Sequence, residues 1–302
     1  MDIKQLRTFV AIVDCQGFSS AANKLNISQA TTSTHLSQLE SELRVQLILR
    51  STQSIEVTQA GWTVYKYASH ILEMENCIHE SCAAQGRNLL RIGASTLPAT
   101  YMLPEIIEQY GACCTKDLVR ITQCENKDVV DGVLDGRFDV GLTSLCVHRD
   151  GLEYIPICSD KMVIITPVTD FYQHFRGKRH SVLELLEAPI ILREECGGRQ
   201  VDLYLERMGV DPRNLDVVAR VNDQEAVKNM VASGIGVSII SQIAAHDFIQ
   251  SKRVLKFDIP EFNIGKDIYL VYPAYYTSKH PAWRFIDYVQ HFGGAFWKSE
   301  MN

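Results

Sequence analysis

The segment Phe18–Leu43, FSSAANKLNISQATTSTHLSQLESEL, is dense in short hydrogen-bonding side chains and poor in charge. Gln29, Thr31, Thr32, Thr34, His35 and Gln38 fall together in its second half. Amide, hydroxyl and imidazole groups projected from one helix face match the donors and acceptors of base edges in a DNA major groove. The same composition also suits the solvated face of an ordinary helical hairpin, so the elements around these residues decide what they do.

Those elements are two short helices around a tight corner. Ser19 is placed as the cap of the first, whose inner face carries Ala21, Ala22 and Leu25. Asn26 and Ile27 make the corner, where Asn tolerates a left-handed backbone. Ser28 caps the second helix, and Leu36, Leu39 and Leu43 recur on it at helical spacing. The small Ala21 and Ala22 let the two helices approach closely. An amphipathic helix with Ile3, Leu6, Phe9, Val10 and Val13 on one face precedes the pair. Val45–Thr58, VQLILRSTQSIEVT, reads as two short strands around a polar turn, the form of a wing, with Arg50 set to meet phosphate. Thr58 caps the next helix, which opens on Gln59-Ala60-Gly61.

The run MDIKQLRTFVAIVDCQGFSSAANKLNISQATTSTHLSQLESEL, followed by VQLILRS and VTQAG, resembles the N-terminal region of LysR-type transcriptional regulators. Helix, corner, second helix, wing and TQAG all fall in register. The resemblance implies a cytoplasmic regulator, a dimer of dimers, that binds double-stranded promoter DNA and senses a small molecule. Carried onto this chain, it makes Ser28, Gln29, Thr31, Thr32, Thr34, His35 and Arg50 the DNA-binding candidates. Two positions depart from the family pattern: Ala30 stands where Pro is frequent, and Arg44 where Gly is usual. Residues 1–60 hold five cations (Lys4, Arg7, Lys24, Arg44, Arg50) and five carboxylates (Asp2, Asp14, Glu40, Glu42, Glu56). DNA affinity rests largely on phosphate neutralisation, so one such domain binds weakly and needs a second copy.

A long helix is expected over Gln59–Gln85. Val64, Tyr67, Ile71, Met74 and Ile78 step by three and four along it, a heptad seam suited to a dimer coiled coil. At about 1.5 Å per residue it spans ~40 Å, more than a small winged domain covers. Gly86 ends it and opens a hinge through Asn88.

From Leu89 onward strands alternate with helices, which predicts a mostly parallel sheet covered on both faces. Expected strands are 89–94, 118–123, 139–143, two within 154–166, 189–193, 216–221, 237–240 and 267–272. Expected helices are 101–111, 127–134, 199–208, 224–233 and 282–292. Two such sets imply two lobes and a cleft, with the chain crossing between them near 164–168 and 263–266. LRIGAST, LPEIIEQY, VLDGRFDVGL and EAVKNMVASGIGVSIIS resemble the effector-binding domain of the same family, which is like a periplasmic solute-binding protein. The fold expected is therefore α/β: a winged helix-turn-helix over 1–58, a linker helix and hinge over 59–88, and a two-lobed effector-binding domain over 89–302. Its first lobe takes about 89–165 and 267–302, and its second about 166–266.

Ligands of open α/β sheets sit at the carboxyl ends of strands, beside helix N-termini. That rule places Ser95, Thr96, Cys124, Thr143, Ser144, Cys196, Arg199 and Asn222 at the cleft. Hydroxyls, main-chain amides and the Arg199 cation suit a small anion or carboxylate; Glu194 and Glu195 keep a cationic or zwitterionic effector open.

The chain has 302 residues, a formal net charge of −6 and nine cysteines without a CxxC pair. This suits reduced thiols better than a disulfide framework. Cys124, Cys146 and Cys196 all follow strands, which leaves a thiol- or metal-responsive regulator as an alternative. A two-lobed solute-binding protein without DNA binding is the other. No leader, transmembrane-length apolar run, metal-finger spacing, GxSxG, Walker loop, dinucleotide GxGxxG or HExxH is present, so neither an enzyme nor a bound cofactor or metal is expected.

Overall fold

The computed structural model describes residues 1–50, 55–83, 88–113, 117–147, 149–175, 182–186, 188–193, 205–206, 210–259 and 266–293. They form two compact units, the first comprising chiefly residues 1–91.

The first unit begins with α1 (Ile3–Asp14), capped by Asp2 and Gln5 in a reciprocal capping box. Helix α2 (Phe18–Leu25) follows; Gly17, not Ser19, occupies its N-cap, and Ser19 lies inside its first turn. Asn26 takes φ 53° at the corner. Ser28 then accepts a hydrogen bond from Thr31 N at 3.0 Å and starts α3 (Gln29–Leu43). Phe9, Ile12, Leu36, Leu39, Leu47 and Ile48 are all buried in one core with Ala21, each large side chain contributing roughly 1.5–3 kcal/mol. Arg44 ends α3 at φ 53°, a left-handed cap that explains why glycine suits this position.

The wing is an antiparallel pair, β1 (Ile48–Arg50) and β2 (Ile55–Val57). Glu40 fastens it to α3, for its Oε1 accepts from Leu47 N at 2.7 Å and Ile48 N at 3.2 Å. Thr58 caps α4 (Gln59–Ala83) by accepting from Gly61 N at 2.9 Å. A Cβ at Gly61 would lie 2.3 Å from the Leu47 carbonyl oxygen, so the glycine of VTQAG is required by the approach of α4 to the wing. The expected seam divides. Val64 and Ile71 pack on the winged core with buried Ala68, whereas Tyr67, Met74 and Ile78 are exposed, Ile78 by 64%.

From β3 (Asn88–Ala94) onward the chain forms two lobes. The first is built on a five-stranded sheet in the order β4-β3-β5-β12-β6. Its strands are β3 (Asn88–Ala94), β4 (Asp117–Gln123), β5 (Val140–Thr143), β6 (Leu152–Asp160) and β12 (Lys266–Pro273). A π-helical turn (Pro98–Met102) leads into α5 (Leu103–Cys113), and α6 (Asn126–Leu134) joins β4 to β5. The second lobe contains β7 (Met162–Pro167), the short α7 (Asp170–Gln173) and α8 (Val182–Leu185), β8 (Ile190–Arg193), β9 (Val217–Val221), α9 (Gln224–Ala232), β10 (Ser238–Ser241), α10 (Gln242–Gln250) and β11 (Val254–Asp258). Helix α11 (Trp283–Tyr288) follows β12.

Three expectations change. The sheets are mixed: β3–β5 and β8–β9 are parallel, but β12 runs antiparallel to β5 and β6, and β7 runs antiparallel to β10 and β11. The first crossing falls at Lys161, because β6 belongs to the first sheet and β7 already to the second; the return crossing spans 260–265, outside the described residues. Helix α10 and β11 have no counterpart in the expected order, and most of the helix expected over 199–208 also lies outside the described residues. The corner before β10 agrees: Gly234 takes φ 81°, and a Cβ at Gly236 would meet the Pro189 carbonyl oxygen at 2.2 Å. No described helix is long and apolar enough to cross a membrane.

Candidate DNA-reading surface and effector cleft

Helical spacing sorts the polar residues of α3 into two faces. Thr32 lies one turn before Leu36 on the buried stripe, and it is fully buried, its hydroxyl donating to Ser28 O at 3.1 Å. This removes Thr32 from the candidate base readers. His35 lies one turn before Leu39 and is half-buried; its Nδ1 sits 2.8 Å from Thr8 Oγ1 on α1. Its ring is therefore held against the neighbouring helix. Ser28 and Thr31 are joined at the helix start, their hydroxyl oxygens 2.8 Å apart.

The outward face carries Gln29, Ala30, Thr34, Ser37, Gln38, Ser41, Glu42 and Leu43, with Ser33 half-buried beside them. Ser33, Thr34, Ser37, Gln38, Ser41 and Glu42 line a shallow groove together with Gln5 of α1. Gln5 Nε2 donates to Gln38 Oε1 at 3.2 Å, which pins that amide in place. Sequence reasoning passed over Gln5, Ser33, Ser37 and Ser41. The signal for the three serines was present in their i, i+4, i+8 spacing.

Three of the cationic groups on this unit are paired. The N-terminal ammonium meets Glu42, Arg7 pairs with Glu75 at 2.6 Å, and Lys24 with Asp14 at 3.5 Å. Arg50 ends β1; its strand position is described and its side chain is not.

In the first lobe of the second unit, adjacent strand ends bring together most of the expected cleft residues. Ser95 is buried and donates its amide to Leu142 O at 2.9 Å, while its carbonyl accepts from Ala99 N. Thr96 is exposed, and its hydroxyl accepts from Gln123 Nε2 at 3.4 Å. Cys124 is half-buried and donates its amide to Ala94 O. Asn126 Oδ1 accepts from Thr143 Oγ1 at 2.8 Å, Ser144 N at 3.0 Å and Ser144 Oγ at 3.1 Å. Thr143 is fully buried, so it orients Asn126 and has no surface of its own for a ligand. Asn222 is exposed at the carboxyl end of β9; Cys196 and Arg199 lie outside the described residues. Cys146 is exposed, and no group of three metal-ligating side chains occurs among the described residues.

The junction of the lobes holds a buried acid. Asp160 ends β6, sits opposite Lys266 of the returning strand, and accepts from Ile243 N at 3.2 Å in the first turn of α10. Gln242 N donates to Lys161 O at 2.8 Å in the same place. Burial pushes the Asp160 carboxyl up to about 6, against the opposing pull of the Ser241 hydroxyl and the Ile243 amide.

Two family descriptions match this chain. Residues 3–62 match the bacterial regulatory helix-turn-helix protein, lysR family, and residues 83–293 match the LysR substrate binding domain. An uncharacterised HTH-type transcriptional regulator of Methanocaldococcus jannaschii is 29% identical over 279 residues, covering 89% of this chain and 92% of that protein. A probable RuBisCO transcriptional regulator of Cyanidioschyzon merolae is 28% identical over 292 residues, covering 92% and 94%. Among solved structures, full-length CbnR with its target DNA shares the fold at a TM-score of 0.72 and 22% identity, covering 96% of this chain and 99% of that one. With both domains matched in order, the chain belongs to the LysR-type transcriptional regulators, DNA-binding proteins that carry an effector-binding domain.

Proposed function

We propose that Gln29, Ser33, Thr34, Ser37 and Gln38 read base edges from the major groove, and that Ser28, Thr31 and the first amides of α3 meet phosphate. The observation that carries this reading is the exposed stripe of hydroxyl and amide side chains on α3, with Glu42 as the one carboxylate at its end. Such groups discriminate bases, while backbone contacts set register. Arg50 serves the wing as a phosphate contact. His35 acts by bracing α3 on α1 through Thr8.

The effector is a small oxyanion or carboxylate held at the cleft edge by the hydroxyls of Ser95 and Thr96. Exposed Tyr67, Met74 and Ile78 on α4 support pairing of two copies, and two such dimers form the working tetramer. The protein acts in the cytoplasm and catalyses no reaction. Effector binding works as a population shift between two arrangements of the lobes.

A gel shift of the full-length protein on the DNA upstream of its own gene, across a salt series, tests the reading. Specific retardation that survives competitor DNA is expected, with a shallow salt dependence because few cations are available to release counterions. No retardation at low salt overturns it and favours a two-lobed solute-binding protein.

A further inference from the structure

Lys228 of α9 is fully buried, an unusual setting for an ammonium group. Its Nζ lies 2.7 Å from Glu225 Oε1 and 2.8 Å from Asp247 Oδ1. The ring of Phe248 is 4.6 Å away and the ring of Tyr101 4.8 Å. Tyr101 also donates its hydroxyl to Glu225 Oε1 at 2.8 Å. Glu225, Lys228, Asp247 and Phe248 all stand on α9 and α10 of the second lobe. Tyr101 comes from the first lobe, in the π-helical turn directly beyond Ser95 and Thr96. Leu97, the N-cap of that turn, joins Tyr101 against the hydrophobic cluster of the second lobe.

The division of labour in this cluster matters. A desolvated cation must keep its counter-charges, and both carboxylates belong to its own lobe. Lys228 therefore stays neutralised whether or not Tyr101 is in place. Tyr101 supplies a ring face and one hydroxyl, contacts that water can replace when the lobes part. The contact is thus made or broken as a unit, the property a two-position joint needs. Burial and the Glu225 carboxylate hold the Tyr101 phenol far above its ordinary range, so it remains a donor throughout the physiological pH span.

We propose that Tyr101, seated on Glu225 and Lys228, is an interlobe latch: a positioning residue that couples occupancy at Ser95 and Thr96 to closure of the two lobes. Its regulatory meaning rests on the cleft being the effector site; the latch itself is a property of the free protein. A ligand drawing on Ser95 and Thr96 moves the start of the same helical segment and carries the Tyr101 ring with it.

Hydrogen–deuterium exchange on the full-length protein, wild type against Tyr101→Phe, tests this. The substitution keeps the ring over Lys228 and removes only the hydroxyl donor. Amides of 99–103 and of 223–226 are expected to exchange together about tenfold faster, as for loss of one hydrogen bond to a charged group, with β10 unchanged. Unchanged exchange in both segments overturns the latch, and so does acceleration in 99–103 alone, which marks a local packing defect. Tyr101→Leu, which keeps an apolar side chain against the second lobe, is expected to show the same paired acceleration, more strongly; its absence also overturns the latch. The gel shift on the same samples separates the two readings. Retained DNA binding with unchanged exchange defeats the latch alone, and wild-type protein that never binds DNA defeats the regulatory reading alone.

Discussion

The polar groups of α3 and those between the lobes serve opposite ends. On α3, Thr34, Ser37 and Gln38 stand in water and cost the fold little. Between the lobes, Asp160 and Lys228 are removed from water and must be matched by partners. The exposed set can vary with little effect on folding, which suits a surface that specifies a sequence. The buried set leaves a costly unpaired group wherever a partner is withdrawn, which suits a joint that must adopt one of two positions.

The strongest test of this contrast is Asp160→Asn. The Asp160 carboxyl is held above its free value, so the folded protein binds that proton more readily than the unfolded chain. The cost of ionising it is absent below about pH 4 and complete above about pH 6. Stability should fall as pH rises through that window, and the substitution should restore up to about 3 kcal/mol at pH 8, with little change at pH 4. Denaturant melts at the two pH values check this. Equal effects at both would mean that the buried acid imposes no such cost.

A smaller effect separates the two faces of α3. Gln38→Ala should lower affinity for specific DNA about tenfold, ~1.4 kcal/mol, while moving stability by less than about 0.5 kcal/mol. Thr32→Val should do the reverse: its hydroxyl bond to Ser28 O is worth about 1 kcal/mol of stability, and DNA affinity should stay within about twofold. Titrations and melts on both variants measure the split. Equal losses of affinity would erase the distinction between outward and inward positions. The smallest change expected is Arg44→Gly, which relieves a left-handed backbone and should stabilise the winged domain by roughly 0.5–1 kcal/mol. A lower melting point for that variant would show that the Arg44 side chain matters more than its backbone.

Local chemistry made much of the first unit legible. Ser28 and Asn26 carry their own conformational preferences, and the wing and linker helix follow from strand and heptad patterns. Thr32 and His35 were misplaced because polarity outweighed spacing; both lie one turn before a buried leucine. Strand direction in the second unit was not legible, since alternation of apolar residues is the same in parallel and antiparallel ladders. Helix α10 was hidden because β10 runs into it without a loop. Ser241 is both the last strand residue and the helix cap, its hydroxyl accepting from Ala244 N at 3.1 Å. At the cleft, strand ends point to Ser95, Thr96 and Ser144, but only the packing reveals that Thr143 is buried and bonded to Asn126. The burial of Lys228 leaves no mark in the sequence, for its lobe-one neighbour Tyr101 is distant along the chain.

The Glu40 carboxylate, bonded to the amides of Leu47 and Ile48, acts as a splint between the reading helix and the wing. Insertion of one into DNA carries the other along at a fixed offset. On the proposed reading, an operator for this protein must offer its base pairs and its wing-facing backbone at one invariant spacing.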